Sequence, residues 1–230
     1  MGLVRPLHVS GFTGMGQELK PLGNMLLPAD NEARFEHSRA CVQTVLESGE
    51  YRYERAAVEP VHTLVDVGVN LGAFTLWATR CWWPGIRQVW GFDPNAEALA
   101  LAERNVGYTM RGPAVVLCRA AITTDPRPRF ETGDNWGGGR TAGVTGGAEV
   151  PGVHPRDLPR CDALKVDCEG AEGDLYEAYP HLADVLVTLY EWHGVEQRER
   201  CVAACRRAGL EPRVMRDGDG QGQHVWVRHT

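Results

Sequence analysis

An α/β fold built on a mostly parallel, doubly wound sheet of about seven strands, closed by a terminal antiparallel hairpin, is what this sequence predicts. Three observations carry that expectation. Short β-branched runs alternate with Ala- and Leu-rich segments of helical period. A glycine-bearing loop directly follows the first such run, and ionisable residues gather where the runs end while their middles stay apolar, as strands covered on both faces require. With 230 residues, 43% of them hydrophobic, the chain can bury one substantial core with a small appendage.

Residues 1–50 read as an irregular lead-in and a helix, and residues 51–230 as the main domain. From Met1 to about Asp30 the chain is rich in Gly, Pro and Leu without a period, a candidate cover for a site or for a partner subunit. Phe35, Ser38, Cys41, Val42, Val45 and Leu46 then fall at helical spacing, with Gly49 as the stop. Thr63–Val67 is a β-branched strand, Gly68 to Gly72 a loop, and Phe74, Leu76, Trp77 and Ala78 the apolar face of a helix. The alternation continues with a strand at Gln88–Phe92, a helix at Asn95–Asn105 and a strand at Ala114–Cys118. Trp82 and Trp83, before Pro84, read as core or interface packing. Thr132–Ala148 holds seven glycines around Asn135, Trp136 and Arg140 and reads as a mobile loop or glycine-tolerant turn. Beyond it come a strand at Asp162–Asp167, a helix at Ala171–Tyr179, a strand at Val185–Trp192, a helix at Gln197–Ala208, and a hairpin of residues 211–214 and 224–228.

Charge and cysteine usage exclude several classes. A formal charge of -6 repels a phosphate backbone, so a general nucleic-acid binder is disfavoured. No apolar run is long enough to cross a bilayer, and the N-terminus lacks a charged start followed by an apolar stretch, which points to a cytoplasmic protein without a membrane partner. Seven scattered cysteines read as reduced thiols, with Cys201 and Cys205 buried on a helix rather than holding zinc.

In an open α/β sheet, ligands bind beyond the carboxyl ends of the strands. At the first such end, Asp66, Gly68, Asn70 and Gly72 combine close backbone approach with side-chain hydrogen bonds. The glycine spacing is not Gly-x-Gly-x-x-Gly, and an acid two residues before Gly68 suits an ammonium better than a pyrophosphate. Asp93, about twenty residues on, is placed for a ribose diol. Together these ends suggest an adenosine with a positively charged tail. At a third end Lys165 and Asp167 share a face, followed by Glu169 and Glu172; at a fourth, Glu191 and His193 do the same. Charged residues sit poorly in a covered sheet, so both groups are expected at its mouth.

The segments Val65-Asp-Val-Gly-Val-Asn-Leu-Gly72, Gly91-Phe-Asp-Pro94, Leu164-Lys-Val-Asp-Cys-Glu-Gly-Ala-Glu172 and Glu191-Trp-His193 resemble the FkbM-type S-adenosylmethionine-dependent methyltransferases. The likeness spans about Tyr51 to His193, with Val69 where Ala is usual and Asp93 where Glu is frequent. It implies a class I methyltransferase (Rossmann-like) fold and O-methylation of a small-molecule hydroxyl, on a sugar or an alcohol of natural product biosynthesis. It also implies that Asp66, Gly68, Asn70 and Gly72 surround the methionine part of the cofactor, that Asp93 holds the ribose, and that Ala120, Ala121 and Ile122 line the adenine. Transfer to a hydroxyl calls for a general base, for which Asp167 and His193 rank first, with Glu191 to orient the imidazole and Lys165 beside them. Trp136, Asn135 and Glu169 are the expected substrate contacts. A rival to the base role is a divalent ion such as magnesium on Asp167, Glu191 and His193, which is not favoured. The lead-in and the terminal hairpin are the candidate surfaces for a homodimer. Three other functions stay open: ribose 2'-O-methylation of a nucleoside or RNA, nicotinamide-dependent oxidoreduction, and non-catalytic cofactor binding.

Overall fold

The computed structural model describes residues 19–22, 25–28, 32–45, 60–109, 112–132, 139–141 and 146–228. It opens with an antiparallel hairpin, β1 (Leu19–Leu22) and β2 (Met25–Pro28), inside the stretch expected to be irregular, followed by α1 (Glu32–Gln43). Two four-residue strands do not stand alone in water. Here Met25 and Leu27 of β2 and Val42 of α1 are buried with Leu71, Ala73, Leu76, Leu101 and Val106, so contact with the main domain rather than local propensity makes this segment regular.

The sheet begins with β3 (Thr63–Val67), which leads to α2 (Ala73–Trp77), whose end widens into π-type turns over Ala78–Trp82. Then follow β4 (Gln88–Asp93), α3 (Ala96–Thr109) and β5 (Ala114–Arg119). Four two-residue strands come next: β6 (Ala121–Ile122), β7 (Arg129–Phe130), β8 (Ala148–Glu149) and β9 (Gly152–Val153). The pair β7–β8 closes the base of the glycine-rich region, while β6 runs parallel to β9. The chain finishes with β10 (Ala163–Val166), α4 (Glu172–Ala178), β11 (Val187–His193), α5 (Val195–Arg207), β12 (Glu211–Asp217) and β13 (Gln221–Val227). Asp162, expected in the strand, instead accepts from His62 N, Thr63 N and the Thr63 hydroxyl, tying together the entries to β10 and β3.

The seven-stranded sheet has the order β12-β13-β11-β10-β3-β4-β5, and every neighbouring pair is parallel except those made by β13. This is the class I methyltransferase (Rossmann-like) arrangement. From central β3 the chain builds outward through β4 and β5, then returns to build the other way through β10 and β11. The C-terminal ends of β3 and β10 therefore flank a topological switch point, where such sheets bind ligands.

Alternation along the strands sends side chains to opposite faces. Val65, Val67, Leu164 and Val166 pack with Leu175 and Tyr176 of α4 and Cys201, Ala204 and Cys205 of α5. Leu64, Ala163, Val187 and Leu189 pack on the other face with Phe74 and Trp77 of α2 and with Trp82 and Trp83. The last two rings stack at 17° and are buried, as core packing requires. Each such burial of a Leu or Val is worth roughly 1.5–3 kcal/mol, which is why both helical layers are held against the strands. Among the described residues no helix is long and apolar enough to cross a membrane.

Candidate active site

A cavity of about 500 Å³ opens at the carboxyl ends of β3, β4, β10 and β11. Its first wall is the loop after β3. Gly68 has φ +79°, and a Cβ there would stand 1.7 Å from the Asp167 carbonyl oxygen, so only glycine lets this loop lie against the end of β10. The Gly68 and Val69 amides both donate to Phe92 O, folding the loop over β4. Asn70 follows in the left-handed region at φ +49°, and its Oδ1 is buried without a partner.

Asp93, at the end of β4, accepts from Asn70 N and Asn95 N, both at 2.8 Å. Burial pushes its carboxyl up to about 6, against the pull of those two amides. Ala120, Ala121 and Ile122, just past β5, complete this side of the cavity. Of the residues expected around a cofactor, Gly68, Asn70, Asp93, Ala120, Ala121 and Ile122 thus converge on one wall.

Asp66 and Gly72 stand behind it. The Asp66 side chain turns toward α2, where it accepts from the Thr75 hydroxyl at 2.6 Å and lies 3.4 Å from Lys165 Nζ, and it does not line the cavity. A mid-sheet position on a covered strand sends the side chain into the helical layer instead of past the strand end. Gly72 caps the start of α2. Lys165, expected at the mouth, is 3% exposed on the floor of the cavity, where Nζ donates to Gly68 O at 2.6 Å and lies 3.7 Å from Asp167. Burial alone would lower its pKa, but the carboxylates of Asp66 and Asp167 raise it, so the ammonium stays charged. The pair is a brace for the loop and the strand end.

The opposite wall gathers Asp167, Glu169, Glu191 and His193. Glu169 holds the left-handed φ of +56° that disfavours a side chain with a Cβ. It and Asn70 are the two non-glycine residues with positive φ among the described residues, and they line the same cavity. Glu172, fully buried at the start of α4, organises this wall through one oxygen: Oε1 accepts from Gly170 N at 2.9 Å and Cys168 N at 3.3 Å, and is 3.1 Å from His193 Nδ1. His193 Nε2 faces Glu169 at 3.3 Å and Glu191 at 3.8 Å. Burial works against a charge on His193, but the Glu172 hydrogen bond and the fields of Glu172, Glu169 and Asp167 win and push it up to about 9. Burial likewise pushes Glu169 up to about 7, although His193 pulls it down. Of the two, His193 is pushed toward its charged form and Glu169 is the group poised near neutrality.

Ligand atoms of Asp167, Glu169 and His193 lie within 4.8 Å of one another, which puts Glu169 where the sequence placed Glu191 in a candidate metal set. Both ring nitrogens of His193 also face carboxylates, so an ion held there would have to displace the His193–Glu169 contact.

A further wall was not foreseen. His37 and Cys41 of α1 and Thr44 just after it line the cavity, as does Gln221, which pairs with His193 across β11 and β13. Cys41 already belonged to the helical-spacing set and His37 and Thr44 are the polar residues beside it; for Gln221 the register had to be known. Asn135 and Trp136 lie outside the described residues, whereas Gly139 and Thr141 from the same region reach the cavity.

No protein-family model matches the chain, and no curated protein matches it. Among solved structures it is similar to the ribosomal protein L11 methylase of Lactobacillus delbrueckii subsp. bulgaricus, with 14% identity over 87% of this chain and 81% of that one and a TM-score of 0.47. It is similar to the precorrin-6y C5,15-methyltransferase of Geobacter metallireducens at 12% identity, over 84% and 88% of the two chains, with a TM-score of 0.45. Against the tRNA (uracil-54, C5)-methyltransferase of Pyrococcus abyssi, in complex with S-adenosyl-L-homocysteine, the values are 14%, 94% and 45%, and 0.46. These scores are low, and the fold assignment rests on the chain's own strand order and register.

Proposed function

We propose that this chain is an S-adenosylmethionine-dependent O-methyltransferase of the FkbM type, acting on a hydroxyl of a small molecule such as a sugar or a natural-product alcohol. The observation that carries the proposal is the convergence, in one switch-point cavity, of the Gly68–Asn70 loop and Asp93 on one wall with Asp167, Glu169, Glu191 and His193 on the other. The first wall fits the cofactor. Asn70 Oδ1 is a buried acceptor in need of a donor, which the cofactor's ammonium would be, and Asp93 retains lone pairs for a ribose diol beyond the two amides it accepts from. The carboxylates around the cavity favour a ligand that carries net positive charge.

When bound, S-adenosylmethionine supplies a sulfonium methyl group that passes in line to the acceptor oxygen while the thioether leaves. The chain's own part is mainly orientation, and removal of the acceptor's proton. Glu169 takes that proton in this proposal, because it faces the cavity and its carboxyl is poised near neutrality. Glu172 holds His193 as a cation beside it, and Lys165 fixes the loop of Gly68. Asp167 and Glu191 remain to hold the acceptor.

Calorimetric titration with S-adenosylmethionine and S-adenosylhomocysteine, with NADH as control and magnesium present or absent, tests the proposal. We expect binding of both sulfur ligands without magnesium. Asp93→Ala should weaken it about 100-fold, as loss of a charged acceptor for two hydroxyls implies, and affinity in the native protein should decline as the pH falls through about 6 and Asp93 is protonated. Folded protein that binds NADH and neither sulfur ligand would overturn it.

A further inference from the structure

We propose that Asn105 is a positioning residue that couples the N-terminal cap, formed by β1, β2 and α1, to the loop that receives the cofactor. The inference rests on the cavity's being the S-adenosylmethionine site. Asn105 lies on α3, away from the cavity, and is 1% exposed. Its Oδ1 accepts from Leu26 N at 2.7 Å and its Nδ2 donates to Leu26 O at 3.2 Å, so one side-chain amide pairs with the backbone of β2 as a neighbouring strand would. The same Nδ2 donates to Leu71 O at 3.0 Å, in the loop whose Gly68 and Asn70 line the cavity. A single buried group thus holds the backbone of the cap and the backbone of the cofactor loop together.

The geometry gives this link a consequence. Among the described residues the cap also makes an apolar attachment, Met25, Leu27 and Val42 against Leu71, Leu76 and Leu101. Apolar contact is non-directional and would let the hairpin slide, whereas three hydrogen bonds to main-chain groups fix its register. Beyond the hairpin, α1 supplies His37 and Cys41 to the cavity wall and Thr44 follows it there, so the placement of β2 sets the placement of that wall. Whatever the cofactor does to the loop is felt by the cap, and an ordered cap must favour the bound loop by the same free energy.

The test measures proteolysis within residues 19–45, with and without saturating S-adenosylmethionine, alongside the dissociation constant. Three variants are compared. Asn105→Leu keeps the volume and removes all three bonds. Asn105→Asp keeps the acceptor facing Leu26 N and loses both donations. Leu26→Pro removes the Leu26 donor from the cap side, leaving the seven-stranded sheet untouched, and carries the test should Asn105→Leu fail to fold. In the native protein the cofactor should slow cleavage of the cap about tenfold; Asn105→Leu and Leu26→Pro should lose that protection and bind the cofactor about tenfold more weakly, within the usual range of coupling between sites. Asn105→Asp should fall between. A merely structural role would speed cleavage without abolishing its dependence on the cofactor. Variants whose cleavage and affinity match the native protein, or a native protein that binds the cofactor without protection of the cap, would overturn the proposal. If the native protein binds no S-adenosylmethionine, the assignment of the cavity fails, and cap cleavage in the ligand-free variants still decides whether Asn105 is the latch.

Discussion

His193 on β11 and His224 on β13 stand three rungs apart in one antiparallel ladder, yet their surroundings drive them to opposite charge states. His224 is fully buried in a chain of groups in which each polar atom has a partner. Trp226 Nε1 donates to the Tyr190 hydroxyl at 3.2 Å, that hydroxyl lies 2.9 Å from His224 Nδ1, and His224 Nε2 lies 2.8 Å from Asp217. Arg198 closes the chain by donating to both Asp217 oxygens at 2.8 Å. Burial lowers the His224 pKa further than Asp217 can raise it, so the ring is neutral. His193 is instead held as a cation by Glu172 and Glu169.

The contrast separates a network that holds the fold from one arranged for a ligand. Around His193 the accounts do not close within the protein: Glu172 Oε2 and Asn70 Oδ1 are buried without partners, and Glu169 sits in a backbone conformation that costs about 1 kcal/mol or more. Asn70 Oδ1 without a partner and the strained, pKa-shifted Glu169 line one cavity, as in a site arranged for a ligand. The polar atoms of the His224 chain itself are paired, although the neighbouring Trp192 Nε1 is buried without a partner.

The sharpest way to break this comparison is to neutralise each network in turn. Glu169→Gln should lower kcat about 100-fold or more, the usual worth of a general base, while the melting temperature stays near that of the native protein. His224→Phe should do the reverse. Leaving the Tyr190 hydroxyl and Asp217 without their partner should cost about 2–3 kcal/mol of stability, measured by urea unfolding, with S-adenosylmethionine affinity unchanged. If His224→Phe abolished turnover in folded protein, or Glu169→Gln only destabilised, the division of labour would be wrong.

Much of this division was legible in the residues. Val65, Val67, Leu164 and Val166 announced covered central strands, and the switch-point rule then brought Asn70, Asp93, Asp167, Glu191 and His193 to one place, because each lies at or just past a strand end. Asp66 and Lys165 were harder to place: strand parity gave their shared layer only once β3 and β10 were known to be neighbours in register. Glu172 was visible as an acid near the cluster, but its grip on His193 depends on how α4 seats against β11. The hairpin β1–β2 was illegible, since its regularity comes from Asn105 and an apolar surface far away in sequence. The charge on His193 was missed for a related reason: an isolated imidazole titrates near 6.5, and only the assembled carboxylates raise it.

A smaller effect sharpens the same contrast. Because the folded pKa of His193 lies above its unfolded value, its contribution to stability is fully present below about 6.5 and is lost as the pH rises toward about 9. Glu169, whose folded pKa is likewise raised, acts in the same direction over a lower window, its ionisation costing stability between about 4.5 and 7. Of these two groups only His193 titrates between pH 7 and 9, and His193→Gln should reduce the decline of melting temperature across that window, whereas His224→Phe should leave its slope intact.

The central claim is the opposite charge of the two rings, and imidazole nitrogen NMR read from pH 5 to 10 on uniformly labelled protein tests it most directly. His193 should titrate near 9 and His224 below the ordinary imidazole range. A His193 resonance that titrates near 6.5, or a His224 ring still charged at neutral pH, would contradict the account.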